Sequence, residues 1–158
     1  MSPDGVRFGK RFLVCAIMVA AIPSVIVLLP GQTDDLGKLR RTAQAQHEIV
    51  MLLIEKKEYA KAGEEANKIF QMKWPDGQES LLLYDLLGFS DRLRHAGQPA
   101  IALRLLETNY GTFKDAKSKA EIWMDKGYLY KEMGQPEKAL ECFKEAQRWT
   151  QVTQVKKK

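Results

Sequence analysis

The feature that most constrains this chain is a short phrase that occurs twice. Gly97-Gln98-Pro99-Ala100-Ile101-Ala102-Leu103 and Gly134-Gln135-Pro136-Glu137-Lys138-Ala139-Leu140 share the pattern Gly-Gln-Pro-x-x-Ala-Leu. Each has an apolar residue four places after the second alanine or its equivalent, Leu106 and Phe143. Glycine suits the left-handed residue that ends a helix, and proline suits the first turn of the next. Each copy therefore predicts a corner between two helices. A corner used twice at nearly fixed spacing implies a helical repeat.

Around the second corner the residues form a full unit. Ser118-x-x-Glu121 has the form of a capping box that opens a helix. Trp123, Gly127 and Tyr130 then lie on one side, and after the corner Ala139, Phe143 and Ala146 line one stripe. The first Gly-Gln-Pro corner has Leu86, Ser90 and Leu93 before it and Ala102 and Leu106 after it, with Asp76-Gly77-Gln78-Glu79 as the helix start. A third, less distinct unit lies upstream. Val50 and Leu53 precede a turn at Lys57-Glu58-Tyr59, and Ala62, Ala66 and Ile69 follow it; this turn has neither Gly nor Pro. In each unit a small or short residue precedes the key alanine by the same interval: Val50 to Ala62, Ser90 to Ala102, Gly127 to Ala139. Small side chains let two helices approach closely, and Trp123, Tyr130 and Phe143 would fill the space around that approach.

The order Trp, a small residue four later, an aromatic three later, a turn, then Ala-x-x-x-aromatic resembles the tetratricopeptide repeat. Here it is carried by Trp123, Gly127, Tyr130, Ala139 and Phe143. Lys126 departs from the pattern, standing where a large apolar residue is usual, and Asn109 stands where a small apolar one is usual. Successive key alanines are 40 and 37 residues apart, against about 34 for the family, and longer links at Lys73–Gln78 and Gly111–Asp115 account for the excess. The resemblance covers roughly residues 43–150, in units of about 43–75, 79–111 and 118–150. It implies an all-α chain whose α-solenoid of about three helix pairs ends in a C-terminal capping helix formed around Trp149, Val152 and Val155. It also implies that the first helices of the pairs line a groove for a peptide or partner segment. Carried over residue by residue, the candidates are His47 and Met51 from the first unit. The second contributes Tyr84, Leu87, Asp91, Arg94 and His95, and the third Met124, Tyr128 and Lys131. Gln44, Ile54, Glu55, Glu121 and Glu132 belong to the same faces. The basic and Asn set of repeats that clamp a C-terminal carboxylate is not present, since Met51 and Asp91 stand where that set wants Asn.

Upstream of the repeats, residues 12–29 carry no charge, and only Pro23 and Ser24 interrupt their apolar character. Such a run spans roughly 27 Å as a helix, about one hydrocarbon core. It predicts a transmembrane signal-anchor helix over 12–30, with Arg7, Lys10 and Arg11 holding residues 1–11 in the cytoplasm. Residues 31–42 would then be a linker, the repeat domain would be periplasmic at a bacterial inner membrane, and 151–158 would be a basic tail. The competing reading is a signal peptide cleaved after Val19-Ala20-Ala21, which would leave a secreted soluble binder.

Composition supplies few sites of chemistry. The net charge is +5 with 28% charged residues, which is not the concentrated basic face that nucleic acid requires. His47 and His95 have no Cys or second His at ligand spacing, and no phosphate loop, haem motif or nucleophile motif is present. Cys15 and Cys142 belong to different environments, so neither a disulfide nor a reactive thiol is expected. No metal and no cofactor are expected, and the chain does not read as an enzyme. It reads as a membrane-anchored protein-interaction module, an adaptor or assembly factor that holds a protein or peptide partner. An accessory subunit of a larger membrane complex is the alternative.

Overall fold

The computed structural model describes residues 30–155, with the side chains of 35–152. Six α-helices follow one another: α1 (Pro30–Glu55), α2 (Tyr59–Gln71), α3 (Glu79–His95), α4 (Pro99–Asn109), α5 (Ala116–Glu132) and α6 (Pro136–Val155), with a short 3-10 turn at Tyr110–Thr112 between α4 and α5. They pair in sequence, α1 with α2, α3 with α4 and α5 with α6. α2 also packs on α4, and α5 packs on both α3 and α4, so the pairs stack into one body.

Three corners of the same construction make the pairs. The Glu58, Gln98 and Gln135 amides each donate to a carbonyl five residues back, on Leu53, Leu93 and Tyr130, at 2.8–2.9 Å. The Lys57, Gly97 and Gly134 amides donate to Ile54, Arg94 and Lys131 at 2.9–3.1 Å. This double closure is the Schellman motif, and its key residue sits in the left-handed region. Gly97 and Gly134 have φ of 74° and 70°, and Lys57 has φ of 61°. The first corner thus takes the conformation of the other two without the residue that favours it.

The small positions fall where the paired helices meet. Ala62 and Ala102 are fully buried, as are Val50 and Ser90 at about 1% exposure or less, and Ala139 is buried as well. At Gly127 the approach is closest: a Cβ there would lie under 3.0 Å from three ring atoms of Phe143. That ring also stands edge-on to Tyr128, with centroids 5.4 Å apart. Leu82, Leu86, Phe89, Leu93, Leu105, Leu106, Phe113, Ile122 and Leu129 complete a core that runs through the stack.

Several expectations are corrected. The fold class, a transmembrane helix followed by a solenoid with a capping helix, becomes an all-α arrangement of six helices among the described residues. No helix among them is long and apolar enough to cross a membrane. The segment 1–29, which includes the run 12–29, its basic flank and Cys15, lies outside the described residues, as do Lys156–Lys158. Residues 31–42, read as a linker, lie within α1, which begins at Pro30. Proline fits a first helical turn, and Leu36, Leu39, Ala43 and Val50 recur at helical spacing on the covered side of α1. Among the described residues the cap expected around Trp149, Val152 and Val155 is an extension of α6, which runs on to Val155. α5 opens at Ala116, and Asp115 caps it by accepting from the Ser118 amide at 2.8 Å. Ser118 is therefore a buried residue of the first turn rather than the cap.

Two substitutions test this account of the corners and the close approach. Lys57→Gly should raise the stability measured by urea unfolding by about 0.5–1 kcal/mol, because it removes the left-handed strain of a side chain. Gly127→Ala ordinarily gains about 1 kcal/mol in a helix. Here overpacking against Phe143 costs about 1–3 kcal/mol and should reverse the sign. Combining Gly127→Ala with Phe143→Leu should recover much of the loss.

Candidate partner-binding groove

One face of the stack is built from α1, α3 and α5 and carries three adjoining recesses. The first, of about 560 Å3, lies between α1 and α3 and includes Arg40, Gln44, His47, Leu81, Tyr84 and Asp85. The second, of about 510 Å3, shares His47 and Tyr84 with it and continues over Leu87 and Arg92 to Lys117 and Glu121. The third, of about 330 Å3, shares Leu87 and Glu121 with the second and is closed by Asp91, Met124, Asp125 and Tyr128. The shared residues make one continuous groove across the three first helices. Its walls leave large side chains in water: Tyr84 is 76% exposed, Tyr128 48% and Met124 42%.

Polar bridges between the pairs set the shape of the groove. His47 Nδ1 lies 3.3 Å from Asp85 Oδ1, and its ring sits 4.8 Å from that of Phe89. Arg40 donates to the Gln78 side chain at 3.0 Å. The Ser90 hydroxyl donates to Asp125 Oδ2 at 2.6 Å, and Arg94 spans to Glu132 at 2.9 Å while also binding Asp91. Behind the groove, Glu79 accepts from the Lys114 and Asp115 amides at 3.0 and 3.1 Å, tying the start of α3 to the start of α5. Asn109 donates to Asn67 at 2.7 Å and to the Leu105 carbonyl at 2.9 Å, so the polar residue at a position expected to be small and apolar is satisfied inside the α2–α4 contact. Lys126 stays largely covered; its ammonium stands over the Trp123 ring at 4.2 Å and 3.3 Å from Glu107.

The sequence-predicted residues divide accordingly. His47, Tyr84, Leu87, Asp91, Met124 and Tyr128 come together in the groove. Met51 packs against the core. Arg94 is a tie between α3 and α5, and His95 turns its Nδ1 to the carbonyl of Asp91 at 2.8 Å, on its own helix. Lys131 is exposed on α5 and lines none of the three recesses. Arg40, Leu81, Asp85, Arg92, Lys117 and Asp125 were not anticipated as groove residues. For Asp125 a signal existed: it follows Ile122 by three and precedes Leu129 by four, and both neighbours are fully buried.

Asp85 and Asp125 both have carboxyls pushed above the usual carboxylate range, chiefly by burial. The charge and hydrogen bond of His47 partly offset this at Asp85. At Asp125 the Ser90 hydrogen bond and the Arg94 charge offset it, and Asp91 and Glu132 add to it. Elsewhere, burial also raises the Cys142 thiol, so this side chain is a poor nucleophile. Among the described residues no group of three or more His, Cys, Asp or Glu is placed to hold a metal.

The tetratricopeptide repeat family model matches residues 120–148. The matched stretch is the third pair, from Ala120 on α5 across the Gly134 corner to Arg148 on α6. It contains the close approach of Gly127 to Phe143, and its α5 contributes Met124, Asp125 and Tyr128 to the groove. No curated protein and no solved structure matches the chain.

Burial of Asp125 has a consequence for stability. An acid whose folded-state pKa is raised keeps its proton longer in the folded than in the unfolded chain, so stability falls as pH rises from the ordinary carboxylate value through the raised one. Asp125→Asn removes that loss and keeps an acceptor for Ser90. The variant should unfold at higher urea than the parent at pH 7, and its advantage should shrink below pH of about 4.

Proposed function

We propose that the chain is a protein-interaction module whose α1–α3–α5 groove holds a segment of a partner protein. The observation that carries this reading is the continuity of the three recesses, joined through His47 and Tyr84 and through Leu87 and Glu121. An elongated groove suits an extended or helical segment better than a compact small molecule. Exposed Tyr and Met along it are side chains enriched in protein interfaces, and Tyr is among those that carry most of the binding energy. The match to a tetratricopeptide repeat supports the same reading, because such repeats serve as interaction modules rather than catalysts. The groove's chemistry does not depend on the membrane attachment read from residues 12–29, nor on whether the partner is met by an adaptor, an assembly factor or an accessory subunit.

A random-peptide library displayed on phage and selected on the full-length chain tests this. Recovered peptides should compete with one another. The double variant Tyr84→Ala/Tyr128→Ala, with unchanged helical circular dichroism, should bind them at least about tenfold more weakly, since truncation of an anchoring aromatic costs about 2 kcal/mol or more. Peptides that bind parent and double variant alike would contradict a groove site.

A further inference from the structure

The groove is not electrically uniform. At its α3–α5 end, Leu87, Met124 and Tyr128 share the recess with Asp91, Glu121 and Asp125, and no Lys, Arg or His lines it. We propose, building on the groove reading above, that this end receives a Lys or Arg of the partner segment, carried next to large apolar side chains that lie over Leu87 and Tyr84.

The carboxylates here are incompletely compensated. The Arg94 guanidinium is directed to Asp91 and Glu132, and its hydrogen bonds go to those two rather than to Asp125. Asp125 receives a neutral donor, the Ser90 hydroxyl, at 2.6 Å. Lys117 stands 3.7 Å from Glu121, but that pair is an exposed one on a single helix turn, with side chains 78% and 42% exposed; such pairs contribute little and are readily exchanged. Asp91 already has Arg94 and the His95 ring, 3.3 Å away, beside it, so a cation arriving from a partner would chiefly meet Asp125, which is partly desolvated, and add the charge-assisted hydrogen bond that it lacks. Its aliphatic stem would lie on Met124 and the Tyr128 ring, where a cation gains further from the aromatic face. An acidic side chain in the same place would meet the carboxylates of Asp91, Glu121 and Asp125. The Leu87 and Tyr84 walls lead from this end into the middle recess and offer contact to apolar neighbours of the basic residue.

The same phage selection distinguishes this proposal from the groove reading. Selected peptides should carry Lys or Arg between aromatic or large aliphatic residues. A synthetic copy should bind the Asp125→Asn/Glu121→Gln variant about tenfold or more weakly, the loss of one to two charge-assisted contacts. Replacing its basic residue with norleucine should weaken binding to the parent and make little difference to that variant. Peptides without a basic residue, or basic peptides that bind the variant as they bind the parent, would overturn the proposal and leave the groove intact so long as Tyr84→Ala/Tyr128→Ala still weakens binding at least about tenfold. Peptides indifferent to the tyrosine variant, or a selection that recovers none, would overturn both.

Discussion

Everything in this structure depends on helices meeting at small residues. Ala62, Ala102 and Ala139 each sit just inside the second helix of a pair, at the same interval after Val50, Ser90 and Gly127 on the first. Close approach lets a short corner join the two helices, and the left-handed residue of the corner sets the angle at which the chain returns. Where the approach is tightest, at Gly127, the space a side chain would take is filled by Phe143 from the partner helix. The interior is close-packed, so a single methyl group is felt there.

The groove follows from stacking. Once α2 packs on α4 and α5 on both members of the preceding pair, the first helices α1, α3 and α5 are left side by side. Their covered faces contribute Val50, Leu86, Phe89 and Ile122 to the core, while the other faces keep Tyr84, Met124 and Tyr128 in water. His47 to Asp85, Ser90 to Asp125 and Arg94 to Glu132 join neighbouring first helices across the groove floor and rim. Polar ties of this kind cost desolvation, which is visible in the raised carboxyls of Asp85 and Asp125.

The helix pairs were legible because their signals are local. Gly97, Gly134 and the prolines after them mark backbone conformations that few other residues favour, and the alanine stripes mark close approach. Lys57 marked its corner only faintly, because a lysine pushed to positive φ leaves no trace in a sequence. The early start of α1 was not legible for a related reason: Pro30 and Gly31 serve a loop as well as a first turn, and the stripe of Leu36, Leu39 and Ala43 that decides for helix is short. Glu79, Asp115 and Trp123 act through partners more than ten residues away in the chain or in the next pair, as in the Trp123 indole that donates to the Tyr110 hydroxyl at 3.1 Å. Of the groove, the exposed aromatics were readable through the resemblance to the tetratricopeptide repeat, whereas the division of its charges was not. Arg94, carried over as a groove candidate, also ties α3 to α5, and Asp125, which the sequence did not single out, accepts a part-buried hydrogen bond from Ser90.

The central claim is that a partner segment lies along α1, α3 and α5. Amide chemical-shift mapping of the isotope-labelled chain, titrated with a library-selected peptide, tests it most directly. The account predicts that the largest shifts fall on residues around Tyr84, Leu87, Met124 and Tyr128, with the outward face of α6 near Leu140 and Glu141 unmoved. Shifts concentrated on α2, α4 and α6 instead, with Tyr84 and Tyr128 unaffected, would contradict it.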